Sequence, residues 1–192
     1  MASNIVYINF RASTNAADTF KSWNNAPVTA ESTLTDMVDE DGNATVFDWT
    51  QGIGQGSTLN GVDAVGTGDA VWVDEAIISK EEHWIPDGET RSFTISGLND
   101  AKTYELEVFG SRVGTGRSLE ISTDGFTSSV SIDVANNSTL TAILSDVSPS
   151  GGGITLEWRP LSGDAAYLGA LKFTEIPAVP QHRRRHIGFH HA

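Results

Sequence analysis

The chain has 192 residues, a length typical of one domain, and no cysteine, so it holds neither a disulfide nor a thiolate-bound metal. Its net charge of −13 is uneven, because the first 180 residues carry nine of the twelve basic residues and all 25 acidic ones. Such an acidic body repels nucleic acid and anionic membranes, which argues against either as a partner, although the acid could simply keep the protein soluble. No secretory signal and no membrane-spanning run is visible, so we expect a chain made in the cytoplasm.

Short alternating segments separated by glycine-rich turns predict an all-β, antiparallel β-sandwich with jelly-roll topology. The clearest segment is 103–112, where apolar side chains at 104, 106 and 108 alternate with Glu105 and Glu107. This pattern predicts a strand buried on one face. The other predicted strands are residues 4–10, which are apolar on both faces, 46–49, 70–78, 91–96, 118–123, 129–134, 140–144, 154–158 and 167–173.

The segment 11–44 lacks alternation and predicts a long loop, which in a compact domain is either functional or anchored by apolar side chains. We expect the anchors to be Phe20, Trp23, Leu34 and Met37. Residues 81–88, Glu-Glu-His-Trp-Ile-Pro-Asp-Gly, predict a turn region.

Six motifs follow one another in a recognisable order: Asn9-Phe10, Trp23-Asn24-Asn25, Gly97-Leu98, residues 104–112, Gly152-Gly153-Ile154 and residues 166–173. This order resembles galactose-binding-like β-sandwich modules, which are similar to the non-catalytic carbohydrate-binding domains attached to secreted glycoside hydrolases and esterases. The resemblance covers roughly residues 4–176 and implies a sandwich domain over residues 1–176. It implies the fold more strongly than the ligand, because the same sandwich also serves as a structural unit.

Residues 177–192 form a basic C-terminal arm that begins with two prolines and contains no acid. The prolines end the last strand and keep the chain extended. The arm predicts docking on partner proteins through His182, Arg183, Arg184, Arg185, His186 and Phe189, although a solvated tail explains the same composition. A sandwich followed by an arginine- and histidine-rich end also resembles some tailed-phage virion proteins that decorate heads or tails.

Catalytic groups are sparse. His83 is the one histidine outside the arm, and no serine lies in a Gly-x-Ser-x-Gly turn, so we expect no enzyme of the Ser-His-Asp type. Paired carboxylates could hydrolyse glycosides, but sequence does not supply their separation. The chain is therefore expected to be non-enzymatic.

One loop concentrates carboxylates, at Asp36, Asp39, Glu40 and Asp41, directly before Gly42-Asn43. Calcium prefers such oxygen ligands, so this loop could hold Ca²⁺, although the spacing is not that of an EF-hand. A solvated acidic loop is the alternative.

Sugar recognition uses an aromatic face for stacking and a few convergent polar groups. Trp158 lies two residues after Leu156 and four after Ile154, on the same face of the predicted strand, and is therefore assigned to the core. Trp84, in the predicted turn, is the best candidate for an exposed platform. The remaining candidates for glycan binding are Trp23, Asn24, Asn25 and Arg112.

Two functions follow from the sequence. The first is a structural or accessory protein on a phage virion surface, docking on other virion proteins through the arm and forming a homo-oligomer. The second is a carbohydrate-binding module that recognises glycans, either alone or beside an enzyme.

Overall fold

The computed structural model describes residues 4–10, 23–26, 31–54, 56–58, 66–73 and 82–177. These residues form strands and connecting turns, with one 3-10 turn at Gly68–Ala70. The strands are β1 (Ile5–Phe10), β2 (Trp23–Ala26), β3 (Thr33–Leu34), β4 (Asp48–Gln51), β5 (Gly56–Thr58), β6 (Glu82–Pro86), β7 (Arg91–Ser96), β8 (Thr103–Phe109), β9 (Ser118–Ser122), β10 (Val130–Asp133), β11 (Ala142–Val147), β12 (Gly153–Ser162), β13 (Ala165–Leu168) and β14 (Ala170–Ile176).

Two sheets enclose the main core. The first has the strand order β11-β8-β14-β1-β2 and the second has the order β10-β9-β12-β7-β4-β3. Large side chains fill the space between them, among them the fully buried Trp49, Trp158 and Tyr104. The prediction of an all-β sandwich is therefore confirmed, with one parallel pair, β1 with β2, among the antiparallel ones. The jelly-roll connection stays a prediction.

A third, smaller sheet, β13-β6-β5, lies at one end of the sandwich. Residues 81–88 were predicted to be a turn, and this prediction is wrong, because Glu82–Pro86 form the central strand of this sheet. The predicted strand 167–173 divides at Gly169 into β13 and β14, which belong to different sheets. In the predicted strand 70–78, residues 70–73 form a tight turn, and residues 74–78 lie outside the described part.

The outer face of the first sheet is covered by residues 66–73. Trp72 and Val73 pack there on Tyr7 and Phe109, which face away from the main core. The carboxylate of Glu107 is buried beneath this cover. Strand β8 is therefore covered on both faces, whereas its sequence predicted burial on one face. The prediction for β1, which was expected to be covered on both faces, is confirmed.

The loop anchors can be located where the structure describes them. Met37 is fully buried and Leu34 packs at the margin of the main core, as predicted. Phe20 lies outside the described residues. No helix long and apolar enough to cross a membrane occurs in the part of the chain that the structure describes.

Candidate functional site

The main candidate site is a cleft at the end of the sandwich where β8 begins and β14 ends. It has a volume of about 460 Å³, a size at which proteins commonly hold small ligands. Two loops, residues 39–47 and 97–102, form its walls. The lining residues are Asn4, Asp39, Ala44, Thr45, Val46, Phe47, Gly97, Asn99, Lys102, Tyr104 and Glu175.

Charged groups of both signs meet in the cleft. The ammonium group of Lys102 lies 2.5 Å from Glu175 Oε1, with the two side chains 33% and 12% exposed. This hydrogen bond raises the pKa of Lys102 above its ordinary value. The pKa of Asp39 is lowered, chiefly because the backbone N–H of Asn43 donates to its carboxylate at 2.8 Å. The carboxylate of Asp39 and the ammonium of Lys102 are therefore ionised at neutral pH.

The apolar side of the cleft depends on a close approach between its two loops. Gly97 adopts φ +79°, and a Cβ built on it would lie 1.9 Å from the carbonyl oxygen of Val46. Only glycine fits there, because it has no Cβ and tolerates positive φ. The side chain of Val46 is 71% exposed beside the cleft, while Phe47 and Tyr104 are buried in the wall.

The cleft can bind polar ligands, but neither histidine nor serine is among the described residues that line it. It thus lacks a hydroxyl nucleophile with an adjacent imidazole base. The amides, carboxylates and ammonium can hydrogen-bond hydroxyl groups, and Val46 can contact C–H groups. Asp39 is the one residue of this lining that the sequence singled out, as a candidate calcium ligand. No sequence signal linked it to the others, because the walls come from segments up to about 170 residues apart.

Two of the predicted glycan-binding residues, Trp84 and Arg112, lie at the opposite end of the sandwich. Trp84 is the register partner of Tyr167 in the small sheet, and the guanidinium carbon of Arg112 lies 5.1 Å from the Tyr167 ring centre. Arg117 lies 5.5 Å from the same ring centre. Trp84 and Arg112 are therefore both neighbours of Tyr167.

Trp84 is not the exposed platform that the sequence predicted. Its side chain is half-buried and packs at the margin of the main core. A Cβ on Gly56 would lie 2.2 Å from its indole nitrogen, so the backbone of β5 passes directly against the ring. The correction has a simple cause: Trp84 lies in a strand rather than in an exposed turn, and its ring packs over the backbone of Gly56 and against the main core.

The other predicted glycan-binding residues are on β2, where they join structural contacts. Trp23 packs on Tyr7 and Trp72, with ring centres 5.2 and 6.1 Å apart. Asn24 donates through its amide to the carbonyls of Tyr7 and Val38 and accepts the Val38 N–H. The side-chain oxygen of Asn25 accepts a hydrogen bond from Asn9 at 3.0 Å.

The acidic loop is organised by its own backbone. Asp39 Oδ1 accepts the N–H groups of Asp41 and Asn43, whereas Asp36, Glu40 and Asp41 are exposed. Within the described part of the chain, no group of three or more acidic or histidine side chains is arranged to hold a metal ion. Calcium binding stays a prediction.

The predicted arm residues, from His182 to Phe189, lie outside the described residues.

The fold and the site define an all-β sandwich with a polar cleft at one end. No protein-family model matches the chain, and no curated protein matches it. Among solved structures, a family GH115 4-O-methyl-α-glucuronidase with specificity for decorated arabinogalactans is 16% identical, with a TM-score of 0.35; the match covers 62% of this chain and 16% of the enzyme.

Two further structures are similar at the same level. TmCBM61 in complex with β-1,4-galactotriose is 17% identical, with a TM-score of 0.27, over 50% of this chain and 67% of that one. An exo-β-1,3-galactanase from Phanerochaete chrysosporium, with galactose, is 12% identical, with a TM-score of 0.34, over 69% of this chain and 35% of that one. The chain thus spans a small part of both enzymes.

Proposed function

We propose that this protein is a non-catalytic glycan-binding domain and that its ligand lies in the end cleft. The observation that carries the proposal is the convergence of Lys102, Glu175 and Asp39 beside the exposed side chain of Val46. Sugar rings present hydroxyl groups along their edges and C–H groups on their faces. A cleft with ionised polar groups on one side and an aliphatic surface on the other complements both features.

The charges in the cleft favour a neutral polyhydroxylated ligand. Glu175 and Lys102 already neutralise one another, so a strongly charged ligand would have to displace one of them. A hydroxyl group can donate to a carboxylate and accept from an ammonium, so it satisfies both members of the pair without separating them. The virion role, its partners and the homo-oligomer remain predictions from the sequence.

The test is a screen of immobilised glycans, followed by calorimetry on the best ligand with wild type, Lys102→Met and Asn99→Ala. Hydrogen bonds to charged groups contribute about 1.5–3 kcal/mol, so we expect Lys102→Met to weaken binding by about tenfold or more. Arg117→Gln is the matched control, because it breaks an ion pair with Asp164 at the opposite end.

We expect the control to retain wild-type affinity. If Arg117→Gln or Arg112→Gln abolishes binding while Lys102→Met leaves it intact, the ligand lies on the small sheet and the cleft assignment is wrong. If no glycan binds the wild-type protein, the proposed function fails.

A further inference from the structure

A second depression lies at the same end of the sandwich as the cleft. It has a volume of about 270 Å³, and we call it the hydroxyl groove, because four of the seven residues that line it carry a hydroxyl group. The lining residues are Thr123, Val147, Ser148, Ser150, Gly153, Ile154 and Thr155. None of these described residues is charged, although the chain as a whole has a net charge of −13. A groove lined in this way favours a neutral ligand that has hydroxyl groups of its own.

A single turn separates the hydroxyl groove from the cleft. The loop 97–102, which forms one wall of the cleft, is bonded to the turn 150–153, which borders the groove. The N–H of Leu98 donates to the Gly152 carbonyl at 3.0 Å, and the Gly152 N–H donates to Asp100 Oδ1 at 2.8 Å. The residue that follows Gly152 already lines the groove. A ligand that leaves the cleft across this turn therefore reaches the groove.

The glycine at position 153 is required neither by the backbone nor by packing. Gly151 and Gly152 have φ of +62° and +76°, which favour glycine, whereas Gly153 has no positive φ and begins strand β12. A Cβ built on Gly153 would make only ordinary contacts, at 3.5 Å from the Ile95 carbonyl oxygen and 3.6 Å from Thr94 Cγ2. Glycine weakens a strand and often marks a place where another backbone or a ligand comes close. Among the described residues no backbone comes closer than that ordinary contact, which leaves a ligand.

We propose that the hydroxyl groove is a second subsite for the glycan in the cleft, so that the ligand is a neutral oligosaccharide chain rather than a single sugar; this rests on the proposed function. Hydroxyl side chains both donate and accept hydrogen bonds, as sugar hydroxyl groups do. Residues 151–153 are all glycine, so no side chain obstructs the path from the cleft to the groove. Because one molecule occupies both subsites, the second contact is intramolecular and raises the affinity above that of either subsite alone.

The test is calorimetry with oligosaccharides of increasing length, built from the sugar that binds best in the glycan screen. For wild type we expect the affinity to rise about a hundredfold or more from the single sugar to the longest chain. Gly153→Val places a side chain in the groove, so the single sugar and the longest chain should then bind with equal affinity. Lys102→Met changes the cleft and should weaken binding of every length.

Two threonine variants and a stability measurement separate a ligand contact from a structural role. Replacing a glycine whose backbone conformation suits other residues restricts the unfolded chain. The midpoint of thermal unfolding of Gly153→Val should therefore equal or exceed that of wild type. Thr155→Val removes one hydroxyl group of the groove at similar volume and should reduce the gain with length severalfold. Thr33→Val is the matched control, because Thr33 is also exposed on a strand of this sheet, three strands away, and it should keep the full gain.

The other outcomes are equally decisive. Equal wild-type affinities for the single sugar and all longer chains would overturn the second subsite and leave the proposed function standing, as would a gain with length that persists in Gly153→Val. If Gly153→Val is less stable than wild type, the glycine has a structural reason, and a full gain in Thr155→Val overturns the subsite. If Lys102→Met binds the longest chain as wild type does, the cleft and the groove do not share a ligand. If no glycan of any length binds, the proposed function fails and the subsite with it.

Discussion

Glu82 and His83 are neighbours in β6, point to opposite sides of the strand, and are both fully buried. Burial raises the pKa of Glu82 to about 8, against opposing contributions from the Ser111 N–H and Arg112. Burial also lowers the pKa of His83 to about 3, although a hydrogen bond with the Ala26 backbone raises this pKa in part. Both groups are therefore neutral near pH 7, so the protein buries an acid and a base without burying a charge.

The first prediction concerns stability and pH. Between pH 4.5 and 8 the unfolded chain has lost the Glu82 proton while the folded protein keeps it, so stability falls as pH rises. Between pH 3 and 6.5 the unfolded chain binds a proton at His83 that the folded protein does not, so stability rises with pH. Each slope is at most about 1.4 kcal/mol per pH unit, and they oppose one another between pH 4.5 and 6.5.

Urea unfolding of wild type and Glu82→Gln at several pH values isolates the first contribution. We expect the variant to gain stability relative to wild type progressively from pH 4.5 to 8, because glutamine carries no charge in either state. His83→Gln should instead gain relative stability as pH falls below 6.5. If the free energy of unfolding of a variant differs from that of wild type by the same amount at every pH, the pKa shift assigned to the replaced residue is wrong.

The second prediction concerns the cover on the first sheet. Glu107 accepts hydrogen bonds from the Trp72 indole and the Thr141 hydroxyl, both at 2.9 Å, and pairs with Lys172 at 2.8 Å. Trp72→Phe removes one donor to a buried carboxylate, so we expect a loss of about 1.5–3 kcal/mol. Hydrogen exchange should accelerate in residues 66–73. Thr141→Val, which removes the hydroxyl donor at similar volume, is the control and should not accelerate exchange there to the same extent.

The third prediction separates a structural asparagine from a ligand contact. Asn24 makes three hydrogen bonds to the backbone of Tyr7 and Val38, and Asn24→Ala removes all three. We expect a loss of about 2–3 kcal/mol in unfolding free energy, with glycan affinity unchanged in the folded protein. Asn25→Ala loses one side-chain bond and should cost less. A stable Asn24→Ala protein that no longer binds glycan would restore Asn24 to the binding site.

The fourth prediction concerns the wall of the cleft. Gly97→Ala introduces a Cβ 1.9 Å from the Val46 carbonyl oxygen and also strains a residue with φ +79°. Gly88→Ala is the matched control, because Gly88 has φ +76° but nothing lies within 4 Å of its Cβ position. We expect the control to lose about 1–2 kcal/mol from the backbone conformation alone. Gly97→Ala should lose clearly more and should also weaken glycan binding. Equal losses in the two variants would mean that the contact with Val46 does not shape the wall.

The alternation of apolar and polar residues along the chain was sufficient to predict the β-sandwich. Strands β1, β7 and β8 lie close to their predicted positions, because residues of one strand that face the core recur at every second position. The same reasoning placed Trp158 in the core, where it is fully buried. It failed at β6, because the charged Glu82 and the sequence Pro86-Asp87-Gly88 that ends the segment have the local composition of a turn, although Glu82 is buried.

Only the tertiary structure decided which polar residues meet. The cover over Glu107 comes from Trp72, 35 residues earlier, so no local pattern around β8 could reveal that the carboxylate is buried. The cleft likewise joins Asp39, Lys102 and Glu175, which the sheet order places at one end of the sandwich. Periodicity is a property of one segment, whereas a site depends on how segments pair. The sequence therefore determined strands such as β1, β7 and β8 and the side chains that they turn to the main core, and the pairing of strands determined the cleft.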